Sequence, residues 1–132
     1  MKKSIFIIFG LLLLISCKKE VTTPNNGIYR GVYKEITVDQ DTLVDALVFL
    51  VLHEENQSFT VKGDSLTNFP PDHNGTYEII DEKQMNFEYK GVYEYNPNHY
   101  LDTTFNYTFD DVNFTLSRKE SDRTFEYKMK RY

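Results

Sequence analysis

The chain has no tryptophan, one cysteine, four prolines and six glycines in 132 residues. Each shortage removes a class of protein. A single cysteine, Cys17, cannot close an internal disulfide, so this is not a disulfide-stapled scaffold. The few glycines never cluster, which leaves no phosphate-cradling loop. Cations are scattered, densest at Lys128, Lys130 and Arg131, and form no basic stripe of the kind a nucleic-acid backbone demands. No stretch sets apolar residues at helical spacing. The longest apolar run, residues 5–15, falls well short of the roughly 20 residues that span a bilayer.

That run has the length of a signal-peptide h-region. Lys2 and Lys3 precede it, Ser16 supplies a small residue at its edge, and Cys17 follows, succeeded by Lys18 and Lys19. The stretch Leu14-Ile15-Ser16-Cys17 resembles the lipobox of bacterial lipoproteins, in which the leader is cut before the cysteine and its sulfur and new amine are acylated. The resemblance implies lipidation at Cys17, a membrane partner through that lipid, and residence in the cell envelope. Lys18 in place of Asp after the cysteine resembles proteins sorted to the outer membrane, on its periplasmic or its surface-exposed face.

The expected organisation is a signal peptide over residues 1–16, a lipidated tether over 17–26 and one domain over 27–132. Loss of Lys2 and Lys3 with the leader moves the formal charge from −5 to −7. Pro24 and Gly27 punctuate the tether, whose extended reach is about 30 Å.

Period-two alternation dominates the remainder. Phe125, Tyr127 and Met129 alternate with Glu126, Lys128 and Lys130, and Phe114 and Leu116 alternate with Asn113, Thr115 and Ser117. This pattern predicts an all-β domain of eight strands, over residues 28–38, 46–53, 58–62, 75–80, 84–92, 104–109, 112–118 and 123–131. Residues 46–52 are apolar on both parities, which predicts a strand covered by the core on one face and by a loop or partner on the other. Tight connectors at 54–57, 81–83 and 110–111 alternate with long ones at 39–45, 63–74 and 93–103. An up-and-down barrel puts all the long connectors at one end, as a mouth, with the tether joining the base. An immunoglobulin-type sandwich is the alternative, disfavoured because successive tight hairpins pair strands in order.

The long-loop and tight-turn ends resemble those of lipocalin-like barrels, which carry a Gly-x-Trp on the first strand and an Arg on the last. Here Gly31-Val32-Tyr33, or Gly27-Ile28-Tyr29, and Arg131 stand in those places, with Tyr for Trp. The resemblance implies a structural pair at the closed base, taken as Tyr33 and Arg131. Glu35 shares the parity of Tyr33, which leaves the inward face of this strand open.

Ten Phe and ten Tyr suit either a lined pocket or a packed interior, and eight short strands favour a filled one. Phe69, His73, Tyr95, His99 and Tyr100 fall in the long loops and are the expected ligand contacts of the mouth rim. The three histidines, His53, His73 and His99, join no metal-ligand motif and read as solvated surface groups, with His53 at the opposite end. Asp39, Asp41, Asp110 and Asp111 read as turn formers rather than ion ligands.

No nucleophile context is present, so neither catalysis, a cofactor nor a metal is expected. Asp41-Thr42-Leu43, Asp64-Ser65-Leu66 and Asp102-Thr103-Thr104 resemble an O-glycosylation signal of envelope bacteria, where composition predicts roughly one match. That resemblance marks Thr42, Ser65 and Thr103. The expected function is non-enzymatic binding of a small apolar ligand, a glycan or a protein at the mouth. The alternative is an envelope inhibitor or structural accessory acting through the 63–74 loop.

Overall fold

The computed structural model describes residues 22–132; the leader, Cys17, Lys18 and Lys19 lie outside them. Eight antiparallel strands follow one another around a closed barrel: β1 (Gly27–Thr37), β2 (Thr42–His53), β3 (Ser58–Gly63), β4 (His73–Ile79), β5 (Gln84–Tyr89), β6 (Thr104–Phe109), β7 (Asn113–Lys119) and β8 (Arg123–Arg131). Closure is made by β1 against β8, with Tyr29 opposite Arg131 and Tyr33 opposite Tyr127. This is the all-β topology that the alternation predicts, in the up-and-down order that the connectors predict and with the lipocalin-like arrangement that the resemblance implies.

Alternation places one parity inside. Tyr29 and Tyr33 of β1, Val48, Leu50 and Leu52 of β2, and Phe125, Tyr127 and Met129 of β8 join one buried cluster with Phe59, Phe87, Phe105 and Phe114. The rings touch in sequence through the interior. Phe59 meets Phe87 at 5.2 Å, Phe87 meets Phe105 at 5.8 Å, Phe105 meets Tyr127 at 6.1 Å and Tyr127 meets Tyr33 at 4.8 Å. Edge-to-face arrays of this kind fill a small barrel and add to the burial that drives folding. Every strand and every residue of that cluster lies between Gly27 and Arg131, so residues 22–132 contain the whole ladder and core together with the contacts that flank them.

The base turns follow their chemistry. Asp110 accepts hydrogen bonds from the N–H groups of Val112 and Asn113, and Asp111 sits at φ 76°, within reach of an aspartate in a tight turn. Asp81 likewise accepts from Lys83 and Gln84.

Three boundaries differ from the sequence expectation. β2 begins at Thr42, so the first connector is the tight turn 38–41 rather than a long loop. Thr37 closes that turn by accepting from the Asp41 N–H, and a register shift between Glu35 and Ile36 absorbs the extra residue, Leu43. β4 begins two residues early, at His73, and β5 stops at Tyr89. The mouth therefore carries two long connectors, 64–72 and 90–103, rather than three. The outer face of β2 is only partly covered: Leu47 stays 46% exposed, while the Arg30 guanidinium lies over the Phe49 ring.

At the base, Arg131 lies 5.7 Å from the centroid of Tyr29 and 6.0 Å from that of Phe109. The structural pair is thus Tyr29 with Arg131, in place of the expected Tyr33. Tyr29 and Tyr33 share a face, and only the β1–β8 register distinguishes them. Arg131 also donates to the Asn26 carbonyl at 2.7 Å and to the Asn25 side chain, the Tyr29 hydroxyl donates to the Asn25 carbonyl, and Pro24 is buried. Residues 24–26 are therefore clipped to the barrel.

Gly31 is the tightest point of the closing seam. A Cβ there would sit 1.9 Å from the Lys128 carbonyl oxygen and 2.6 Å from the Met129 Cα, both backbone atoms. Gly31→Ala is expected to destabilise the barrel by about 2 kcal/mol, read as a lower urea midpoint, because the ladder must spread to admit the methyl.

Candidate binding site at the barrel mouth

The β3–β4 connector is folded on itself. The Asp64 N–H donates to the Phe69 carbonyl, the Asn68 N–H donates to the Asp64 carbonyl, and the Asp64 carboxylate accepts from the Leu66 N–H at 2.8 Å. Asp72 ends the loop by accepting from the Gly63 N–H and from Lys62, each at 2.9 Å. These bonds brace the loop from within and leave Leu66 91% exposed.

The β5–β6 connector is held by tyrosines. Tyr89 and Tyr100 stack at 4.8 Å, and Tyr93 packs against both. Asp102 accepts from the Tyr89 N–H at 2.8 Å and from the Tyr93 hydroxyl. Asn96 caps a short 3₁₀ turn, Pro97–His99, that aims His99 back into the barrel.

His73 pins this loop to the wall and is not a rim contact, because it is only 5% exposed. Its Nδ1 donates to the Pro71 carbonyl at 2.6 Å and its Nε2 accepts from the Leu101 N–H at 2.9 Å, an arrangement that only the neutral ring can make. Burial pulls its pKa down to about 4.

Beneath the loops lies a polar cluster that alternation did not reveal. Glu35, 2% exposed, accepts from the Tyr33 hydroxyl at 2.7 Å, meets His99 Nε2 at 2.9 Å and has Arg123 at 3.5 Å. Arg118 covers the Phe125 ring at 4.5 Å and reaches the Asn98 carbonyl at 3.5 Å. Burial, then the neighbouring Tyr127 and Glu35, push the Tyr33 phenol far above its ordinary value, so it remains a proton donor to Glu35. Phe69 closes the plug by packing edge-on against His99 at 4.8 Å. The mouth is thereby shut, with His99 and Tyr100 turned inward rather than outward.

Of the five expected rim residues, Tyr95 alone keeps an open face, 50% exposed. It lines a cleft of about 420 Å³ between the two loops, together with Tyr100, Asp64, Ser65, Asn68 and Glu94. Exposed tyrosine, carboxylate and carboxamide groups converge there, so the cleft can stack an apolar ring face and accept or donate hydrogen bonds around it.

The hydroxyls of Thr42, Ser65 and Thr103 all belong to exposed residues at the mouth end. Thr42 opens β2 and does not sit in a long loop. His53 ends β2 at the base, as expected, while His73 and His99 are inside the mouth rather than solvated. Among the described residues no three His, Cys, Asp or Glu side chains converge as a metal site.

Sequence reasoning missed Glu35, Arg118, Arg123 and Glu94. The parity shared by Glu35 and Tyr33 was the one signal available for the first of them. Comparison with protein-family models, with curated proteins and with solved structures finds no match to this chain.

Proposed function

We propose that this protein is a lipid-anchored envelope lipoprotein, acylated at Cys17 on the outer membrane, that binds a glycan in the cleft between its two mouth loops without catalysis. The observation that carries this reading is the cleft itself: the open Tyr95 ring lines it together with Asn68 and Glu94, side chains able to stack on a sugar ring and bond its hydroxyls. A small apolar ligand fits less well, since packed rings occupy the interior and Glu35, His99 and Phe69 plug its mouth. The Asp64 and Asp72 carboxylates are spent on loop bonds, a positioning use rather than an acid–base one.

Tyr95→Ala is expected to lower affinity for the bound oligosaccharide about tenfold on an envelope-glycan array, with the melting temperature unchanged. This expectation rests on the loss of one stacking face. Failure of the wild-type domain to retain any oligosaccharide would sink the glycan reading.

A second reading is supported by Leu66. A single large apolar side chain on a braced loop is a pre-organised anchor for a protein pocket, which suits an inhibitor acting through residues 63–74. Leu66→Ser then abolishes partner capture and leaves the glycan titration as it was.

A further inference from the structure

We propose that the outer face of β8, β1 and β2 is a docking surface for an anionic phospholipid membrane. Three rows of outward side chains build it. Tyr132, Ile28 and Val51 form the row nearest the base, Lys130, Arg30 and Phe49 the next, and Lys128, Val32 and Leu47 the third. Tyr132 is 83% exposed, Leu47 46% and Ile28 43%.

The middle row is electrostatically costly for the isolated protein. Arg30 and Lys130 face each other directly across the β1–β8 ladder, where like charges destabilise a sheet. Among the described residues no carboxylate lies within ion-pair distance of either, and Lys128 has only Glu126 at 3.4 Å. These three cations line a cleft of about 480 Å³ with Asn113 and Thr115, whose side chains are further hydrogen-bond partners for a phosphate group. A chain of net charge −5 thus gathers three cations on one wall, two of them without a carboxylate partner among the described residues, beside a strip of apolar side chains.

Charge complementarity selects the occupant. Cations interleaved with exposed apolar and tyrosine side chains match an anionic headgroup layer over acyl chains. A second copy would set cation against cation. An end-on approach to the same membrane is disfavoured, because the base turns expose Glu54, Glu55, Asp81, Glu82, Asp110 and Asp111 against one cation, Lys83. The barrel therefore lies on its side, tilted toward the row that carries Tyr132 and Ile28. This inference does not depend on the glycan cleft or on the lipid at Cys17.

The test uses residues 22–132, which contain the whole ladder and core and bear no acyl chain. Co-sedimentation is measured with vesicles of phosphatidylglycerol mixed with phosphatidylcholine, and with phosphatidylcholine alone. Retention by the anionic vesicles only, falling as salt is raised, is expected.

Arg30→Glu converts the repulsive pair into an attractive one. It is expected to hold or raise the melting temperature while lowering anionic-vesicle partitioning at least about tenfold. Tyr132→Ser with Ile28→Ser lowers partitioning with every charge in place, whereas Lys83→Glu leaves it unchanged. Equal retention by both vesicle types, no retention by either, or undiminished binding of the folded Arg30→Glu variant overturns the proposal. A concentration-dependent dimer that Arg30→Glu abolishes would overturn it in favour of self-association.

Discussion

Glu35→Ala is expected to lower the stability of the barrel by about 4 kcal/mol, read from urea unfolding, and to raise amide exchange across residues 96–100. The carboxylate accepts from the Tyr33 hydroxyl and lies within ion-pair distance of His99 and Arg123, and it is nearly inaccessible to water. Deleting it leaves the buried Tyr33 phenol without its acceptor, takes the partner from His99 Nε2 and leaves Arg123 with Asp122 alone. Removing one member of a buried ionic group costs more than the group contributes as a whole, because the surviving members stay desolvated and unpaired.

Glu35→Gln separates the two parts of the effect. It keeps an oxygen for the Tyr33 hydroxyl but not the charge, so roughly half the loss is expected. A change below about 1 kcal/mol for Glu35→Ala would mean that the cluster does not hold the mouth shut.

Acidification is expected to destabilise the protein by about 3 kcal/mol between pH 6.5 and pH 4 through His73 alone. The folded protein holds this ring neutral, with its pKa near 4, whereas the unfolded chain titrates it near 6.5. In that window the unfolded state binds the additional proton, so stability rises with pH through it and falls as pH drops. Well above 6.5 both states are neutral and the contribution is flat.

The mechanism is specific. A proton on Nε2 removes the acceptor of the Leu101 N–H, and with it the pin between β4 and the β5–β6 loop. His73→Gln should flatten the pH dependence of the melting temperature over this window relative to wild type, since its side-chain oxygen can still take the Leu101 bond without titrating. A His73 ring proton that shifts in NMR between pH 6 and 7 would contradict the arrangement.

The barrel was legible because its inside and outside are written as a period of two, and strand order followed from short hairpins that leave neighbours no choice but to pair. What alternation cannot express is height along the barrel axis. Tyr29 and Tyr33 have the same parity, and only the register of β1 against β8 assigns Arg131 to the first.

Glu35 is inward by the same rule that buries Tyr33, yet a carboxylate there makes sense only once His99, far away in sequence, is folded back over it. Loop residues carry no periodicity at all. His73, His99 and Tyr100 were therefore placed at the rim by position, whereas their bonds and ring contacts draw them inward and leave Tyr95 to face the cleft. The both-parity apolar run of β2 did announce its unusual outer face, because Leu47, Phe49 and Val51 have no place in the core.

The clip at the base also determines how the domain bears load. Traction on the N-terminal segment enters through Asn25 and Asn26 beside Arg131 and passes straight into β1, which runs from base to mouth bonded on both flanks to β2 and β8. Inter-strand hydrogen bonds lie perpendicular to the strands. A tug between the base and the mouth therefore shears two ladders at once instead of peeling one open bond by bond. The seam that closes the barrel is also its mechanical spine, set against load that runs from base to mouth.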